Sequence, residues 1–128
     1  MKTVILTEKP SVARDFAQAL NVRGNGGQDG FMENESYIIT WAVGHLLSPF
    51  DPEEYDAQLK KWSMQSLPII PKEFKYKILP KTKKQFDAIK RILKRDDVDK
   101  LIVATDAGRE GELIARLIIV INYSKYQI

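Results

Sequence analysis

The chain has 128 residues, 44% of them hydrophobic and 29% charged, with a formal net charge of +3. That length holds one domain with a real core but not two comfortable ones, and the mix is that of an ordinary soluble domain. Without cysteine, disulfides and thiolate metal sites are excluded, and no stretch reaches the length a helix needs to cross a bilayer, so no membrane partner is expected.

Residues 3–7, TVILT, are apolar and β-rich and predict a first strand. The run stops at Thr7-Glu8-Lys9, too soon for the apolar region of a signal peptide. Pro10 disfavours a helical conformation at Lys9, so the chain turns there. Ser11 is then the expected N-cap of a helix through about Leu20, with Val12, Phe16 and Leu20 as its apolar stripe and Ala13 and Ala17 beside it. Residues 23–30, RGNGGQDG, carry four glycines in eight positions. They read as a turn, since neither GxxxxGK[ST] nor a convincing GxGxxG is present.

A second strand is predicted at residues 37–41, paired with a short segment at 31–33. His45 follows Gly44 and is the only histidine. It suits a phosphate contact or acid–base chemistry, or simply a structural hydrogen bond, and a histidine metal cluster is excluded within the chain. Residues 49–71 are loop-rich, with Pro52 near the start of a short helix capped by Asp51. Trp62, Leu67, Ile69 and Ile70 are expected to fasten this excursion to the domain, and Trp62 is read as core or lid packing rather than as a platform for a base.

Residues 74–79, FKYKIL, alternate as a strand, and Thr82 is placed to cap a helix through about Lys94 with Phe86, Ile89, Ile92 and Leu93 inward. From Lys72 to Lys100 there are eleven Lys or Arg against five Asp or Glu, a surplus that can steer phosphates or be only a solvated face. Residues 101–116, LIVATDAGREGELIAR, then read as strand, glycine turn and helix, with Leu113, Leu117 and Ile121 spaced four apart. The run 117–121 leaves that helix apolar on nearly every face, which asks for a cover and suggests a truncated part of a longer chain, or a segment that self-associates. The element order predicts an α/β fold with a small, mostly parallel sheet and helices on both faces.

In such a sheet, the Glu8-Lys9 loop and the acids after the last strand lie at one edge, outside the strands' carboxyl ends. Asp106, Glu110 and, if it turns inward, Glu112 offer hard oxygens suited to Mg²⁺, with Glu8 as a further ligand or acid–base group. Lys9 and Arg109 suit a phosphate or a developing anion. The acids serve equally well as helix caps or ion-pair partners, because a helix N-terminus favours negative charge without any catalysis.

Glu8-Lys9-Pro10-Ser11, Gly44-His45-Leu46 and residues 105–112, TDAGREGE, in that order, resemble the N-terminal Toprim domain of bacterial type IA DNA topoisomerases, closest to the topoisomerase III group. The resemblance covers residues 1–128 and implies a Rossmann-like Toprim domain from a larger multidomain enzyme. It implies cleavage of single-stranded DNA, strand passage and religation in the bacterial cytoplasm, associated with the nucleoid, with Mg²⁺ as cofactor. It puts Glu8 and Lys9 in catalytic positions, Glu8, Asp106 and Glu110 at the metal with Glu112 as an auxiliary, and Lys9, His45 and Arg109 toward the phosphate or DNA. The nucleophilic tyrosine of that family belongs to another domain. Tyr37, Tyr55, Tyr76, Tyr123 and Tyr126 lack its motif context, so the chain by itself is expected to be inactive. Gly108 stands where the family pattern has a second aspartate. Primases and metal-dependent nucleases with Toprim domains, or a non-catalytic nucleic-acid-binding module, are the alternatives.

Overall fold

In the computed structural model, which describes residues 1–24 and 27–122, a four-stranded sheet runs in the order β2-β3-β1-β6. The strands are β1 (Lys2–Thr7), β2 (Phe31–Glu33), β3 (Tyr37–Trp41) and β6 (Val98–Ala104). β1 pairs in parallel with β3 and with β6, and only the short β2 runs antiparallel, against β3. The helices are α1 (Pro10–Ala19), α2 (Pro52–Tyr55), α3 (Lys83–Leu93) and α4 (Arg109–Asn122). The fold is α/β, as the element order predicts.

Alternation along β1 builds two cores. Val4 and Leu6 face one side, where Phe86, Ile89 and Ile92 of α3 meet Ile114, Ala115 and Ile118 of α4. Ile5 faces the other side, against Ala13 and Ala17 of α1. Period-two strands sandwiched between helices require this split. On α1 the buried centre is Ala13 and Ala17, with Phe16 and Leu20 only partly buried at its margin. Two small residues one turn apart let the helix lie close against the sheet.

Several local expectations are corrected. Lys9, not Ser11, occupies the N-cap of α1, and no side chain caps that end. Pro10 starts the helix because its fixed φ suits the first helical position, where its missing N–H goes unused. Thr82 does precede α3, but its hydroxyl donates to the carbonyls of Leu46 and Leu79, both at 3.2 Å, and caps nothing. The FKYKIL strand shortens to β5 (Tyr76–Ile78) and leaves the main sheet, pairing antiparallel with β4 (Leu47–Pro49). Trp62 is 78% exposed, and Leu67 and Ile70 are exposed as well, so they do not anchor the excursion. Tyr55 does so instead: its hydroxyl accepts the Lys75 N–H at 2.8 Å.

α4 is also turned differently from its four-residue spacing. The buried face is Ile114, Ala115, Ile118 and Ile119, while Leu113, Val120 and Ile121 are exposed. A stripe of residues three and four apart, wider than a single i, i+4 row, matches the 3.6-residue turn and packs against α3 and the Leu47–Pro49 strand. Residues 123–128, with Tyr123 and Tyr126, lie outside the described residues.

At the opposite end of the sheet, Arg95 forks between Glu33 (2.7 Å) and Asp97 (2.6 Å), and Lys2 also pairs with Glu33. This group ties β2, β1 and the start of β6 together. Hydrogen bonding to Arg95 holds Glu33 below its ordinary value and takes Asp97 down to about 2.

Candidate active site at the carboxyl edge of the sheet

The parallel register fixes the site. Thr7 lies beside Trp41 of β3 on one side and Ala104 of β6 on the other. The three strand ends therefore deliver Glu8, His45 and Asp106 to one edge. Thr7 is fully buried, and its hydroxyl donates to the carbonyls of Lys9 (3.1 Å) and Thr40 (3.3 Å). Its own carbonyl accepts the Ala42 N–H at 2.8 Å. These bonds pin the turn that carries Glu8 and Lys9, which sequence alone did not reveal.

Across the edge, the Asp106 backbone N–H donates to Glu8 Oε1 over a long 3.4 Å. The turn after Asp106 is closed by the Gly108 N–H on the Asp106 carbonyl at 2.8 Å. Thr105 Oγ1 donates to the Gly111 carbonyl at 3.0 Å, joining the strand end to the first turn of α4. Gly111 is buried, and a Cβ there would stand 2.1 Å from the Asp106 carbonyl oxygen. Only glycine lets α4 begin so close to the strand end. Gly108 is different: a Cβ there would meet nothing within 4 Å.

Gly44, at φ +71°, turns the chain after β3 so that His45 reaches back across the edge. His45 Nε2 lies 3.0 Å from Glu110 Oε1. Glu110 is largely exposed and sits in the first turn of α4 with Glu112. Glu112 follows the helix instead of the mouth: its Oε1 accepts from Arg116 Nη2 at 2.7 Å and Nε at 3.1 Å. Lys9 and Arg109 are exposed at the starts of α1 and α4.

The edge thus brings Glu8, the Asp106 backbone, Glu110 and His45 together in two contacts, and directs Glu112 elsewhere. Among the described residues, no three His, Asp or Glu side chains converge to hold a metal ion. The donor set is not a closed cage. It suits a hard cation that takes one or two carboxylates, keeps several waters and completes its shell from a phosphate, as Mg²⁺ does.

A family model described as the Toprim domain matches residues 3–127. The DNA topoisomerase 3 of Staphylococcus haemolyticus (strain JCSC1435) is 51% identical over 119 residues, 93% of this chain. The DNA topoisomerase 3 of Staphylococcus aureus (strain USA300) is 53% identical over the same span. In both cases the chain spans 16% of the relative's length.

Proposed function

We propose, because this chain belongs to the Toprim domain family, that it supplies the metal- and phosphate-handling half of a type IA topoisomerase III active site. The substrate is single-stranded DNA, the reaction is transfer of a phosphodiester to and from a tyrosine of another domain, and the setting is the bacterial cytoplasm near the nucleoid. One observation supports the reading most. Two segments about a hundred positions apart meet at the sheet's carboxyl edge, where Glu8 Oε1 accepts the Asp106 N–H.

In this reading, Lys9 and Arg109 offset the charge of the scissile phosphate, each from the start of a helix whose dipole adds to the same effect. Glu8 holds or moves a proton at the leaving oxygen, or lends an oxygen to the cation. Asp106 and Glu110 are the carboxylates that would hold Mg²⁺, and His45 orients Glu110. When bound, the ion stabilises charge on the phosphodiester and positions it. Glu112, drawn to Arg116, takes at most an outer role. Residues beyond these, in the rest of the relatives' length, complete the enzyme. The outer stripe of α4, Leu113, Val120 and Ile121, is the surface left for contact with them or with a second copy.

The test is calorimetric titration of Mg²⁺ into the chain with a bound single-stranded oligonucleotide. Glu8→Gln and Asp106→Asn should each weaken Mg²⁺ binding about tenfold or more, roughly 1.4 kcal/mol, without lowering the melting temperature appreciably. Unchanged Mg²⁺ affinity in both variants would remove the reading. Unfolding by either would mean that the loop is structural. On sedimentation, Val120→Lys should abolish any concentration-dependent association of the chain; association that survives it does not use this stripe.

A further inference from the structure

The geometry points to a second phosphate-binding position on the same sheet edge: a cleft of about 310 Å³ that takes the phosphodiester backbone of a single nucleic-acid strand. The cleft lies between residues 27–30, the end of β3, and α3 with the turn that precedes it. Lys81, Lys84 and Arg91 line it, with Asp29 the single carboxylate in the lining. This deepens the nucleic-acid reading above and rests on it.

Three observations carry the assignment. The first is charge. Lys83, on α3, is tied to Asp87 at 2.8 Å, and Arg95, past the end of that helix, to Glu33 and Asp97, so these two are engaged inside the chain. Lys81, Lys84 and Arg91 are exposed and make no ion pair among the described residues. Lys90 and Lys94 are likewise exposed and unpaired among the described residues, but of these cations only Lys81, Lys84 and Arg91 line the cleft.

The second is construction. Gln85 Nε2 donates to the carbonyls of Gly30 (2.9 Å) and Trp41 (2.7 Å), and the Thr40 hydroxyl donates to Gly30 at 2.9 Å. Gly30 has φ +86°, and a Cβ there would stand 2.6 Å from Gln85 Oε1. Helix, strand end and loop are therefore locked to one another before any ligand arrives. A wall that needs no reordering keeps more of the binding free energy.

The third is position. Trp41 and Val43 line the cleft, and His45, two residues on, touches Glu110. One short segment thus borders both places. A strand with one phosphate near Lys9 would run along this segment toward Lys81, Lys84 and Arg91, past Trp41.

The test uses the whole chain carrying Trp62→Phe, which leaves Trp41 as the sole tryptophan. The probe is a thymidine oligonucleotide of about ten residues, within the range of single-strand groove sites, added in EDTA at several salt concentrations. Trp41 emission should change on binding. Lys81→Gln, Lys84→Gln and Arg91→Gln together should weaken binding at least about tenfold and flatten the log K against log salt slope by about 2, three contacts at roughly 0.7 each. Lys81→Arg, Lys84→Arg and Arg91→Lys should keep the affinity, which separates charge from any loss of folding. A control removing the same charge elsewhere, Lys60→Gln, Lys61→Gln and Lys72→Gln, should flatten the slope far less. Equal losses in the two neutralised proteins would overturn the proposal, as would a wild-type Trp41 signal that does not respond. Inorganic pyrophosphate binding as tightly as the oligonucleotide would also overturn it, in favour of a free phosphate ligand. Metal is absent throughout, and the Mg²⁺ titration of the acid site is repeated without oligonucleotide, so that failure of the one result leaves the other readable.

Discussion

His45 and Glu110, sixty-five positions apart in sequence, are joined at 3.0 Å across the carboxyl edge of the sheet. The pair is exposed, so it contributes little to folding and acts mainly on where the Glu110 carboxylate points. His45→Ala should leave stability within about 0.5 kcal/mol of wild type, the usual range for surface changes. The Glu110 carboxyl carbon resonance should shift in the same variant. An unshifted resonance would mean that the contact does not persist in solution.

Gly108 and Gly111 stand three positions apart and should answer oppositely to substitution. Gly111→Ala drives a Cβ to 2.1 Å from the Asp106 carbonyl, a backbone atom that cannot rotate away. A loss of about 1–3 kcal/mol or more is expected in chemical denaturation. Gly108→Asp meets open space and should be neutral for the fold. On the proposed metal-handling role, it should also tighten Mg²⁺ binding, by adding a carboxylate beside Asp106. Equal Mg²⁺ affinity in wild type and Gly108→Asp would show that position 108 does not face the ion.

Acid should loosen the other end of the sheet. Glu33 and Asp97 titrate below their ordinary values chiefly because Arg95 hydrogen-bonds their charged forms. A carboxylate whose folded value is depressed stabilises the fold above its unfolded value and loses that contribution as pH falls through the folded one. Melting temperature should therefore decline from about pH 4.5, the ordinary glutamate value, toward about 2, where Asp97 protonates. Arg95→Gln should lower the neutral-pH melting temperature and shrink the decline in that window. A decline of the same size in Arg95→Gln would place its origin in other carboxylates.

Much of the architecture was legible from periodicity. The β1 run, the 37–41 strand with its partner at 31–33, and the inward face of α3 follow the expected pattern. So does the meeting of the Glu8 loop with the Asp106 turn, since parallel pairing of β1 with β6 dictates a shared edge. The misses have separate causes. Ser11 lost the N-cap to Lys9 because Pro10 competes for the first helical position. α4 rotated because an i, i+4 row marks an apolar face less well than burial against two neighbours does. Trp62 lies in the open because hydrophobicity in a loop says nothing of what stands opposite.

The sequence by itself determined the class of fold and the residue types at the mouth. Hydrophobic alternation selects strands and helices, and the acids, Lys9 and His45 carry their chemistry wherever the chain puts them. Only the tertiary structure decided which of them meet. It paired His45 with Glu110, turned Glu112 toward Arg116, tied Lys83 to Asp87, and gathered Lys81, Lys84 and Arg91 along one cleft. The physical reason is that side-chain pairing depends on distances of a few ångströms between segments far apart in sequence. Those distances are set by sheet register and by where a glycine allows close approach, as at Gly111 against Asp106.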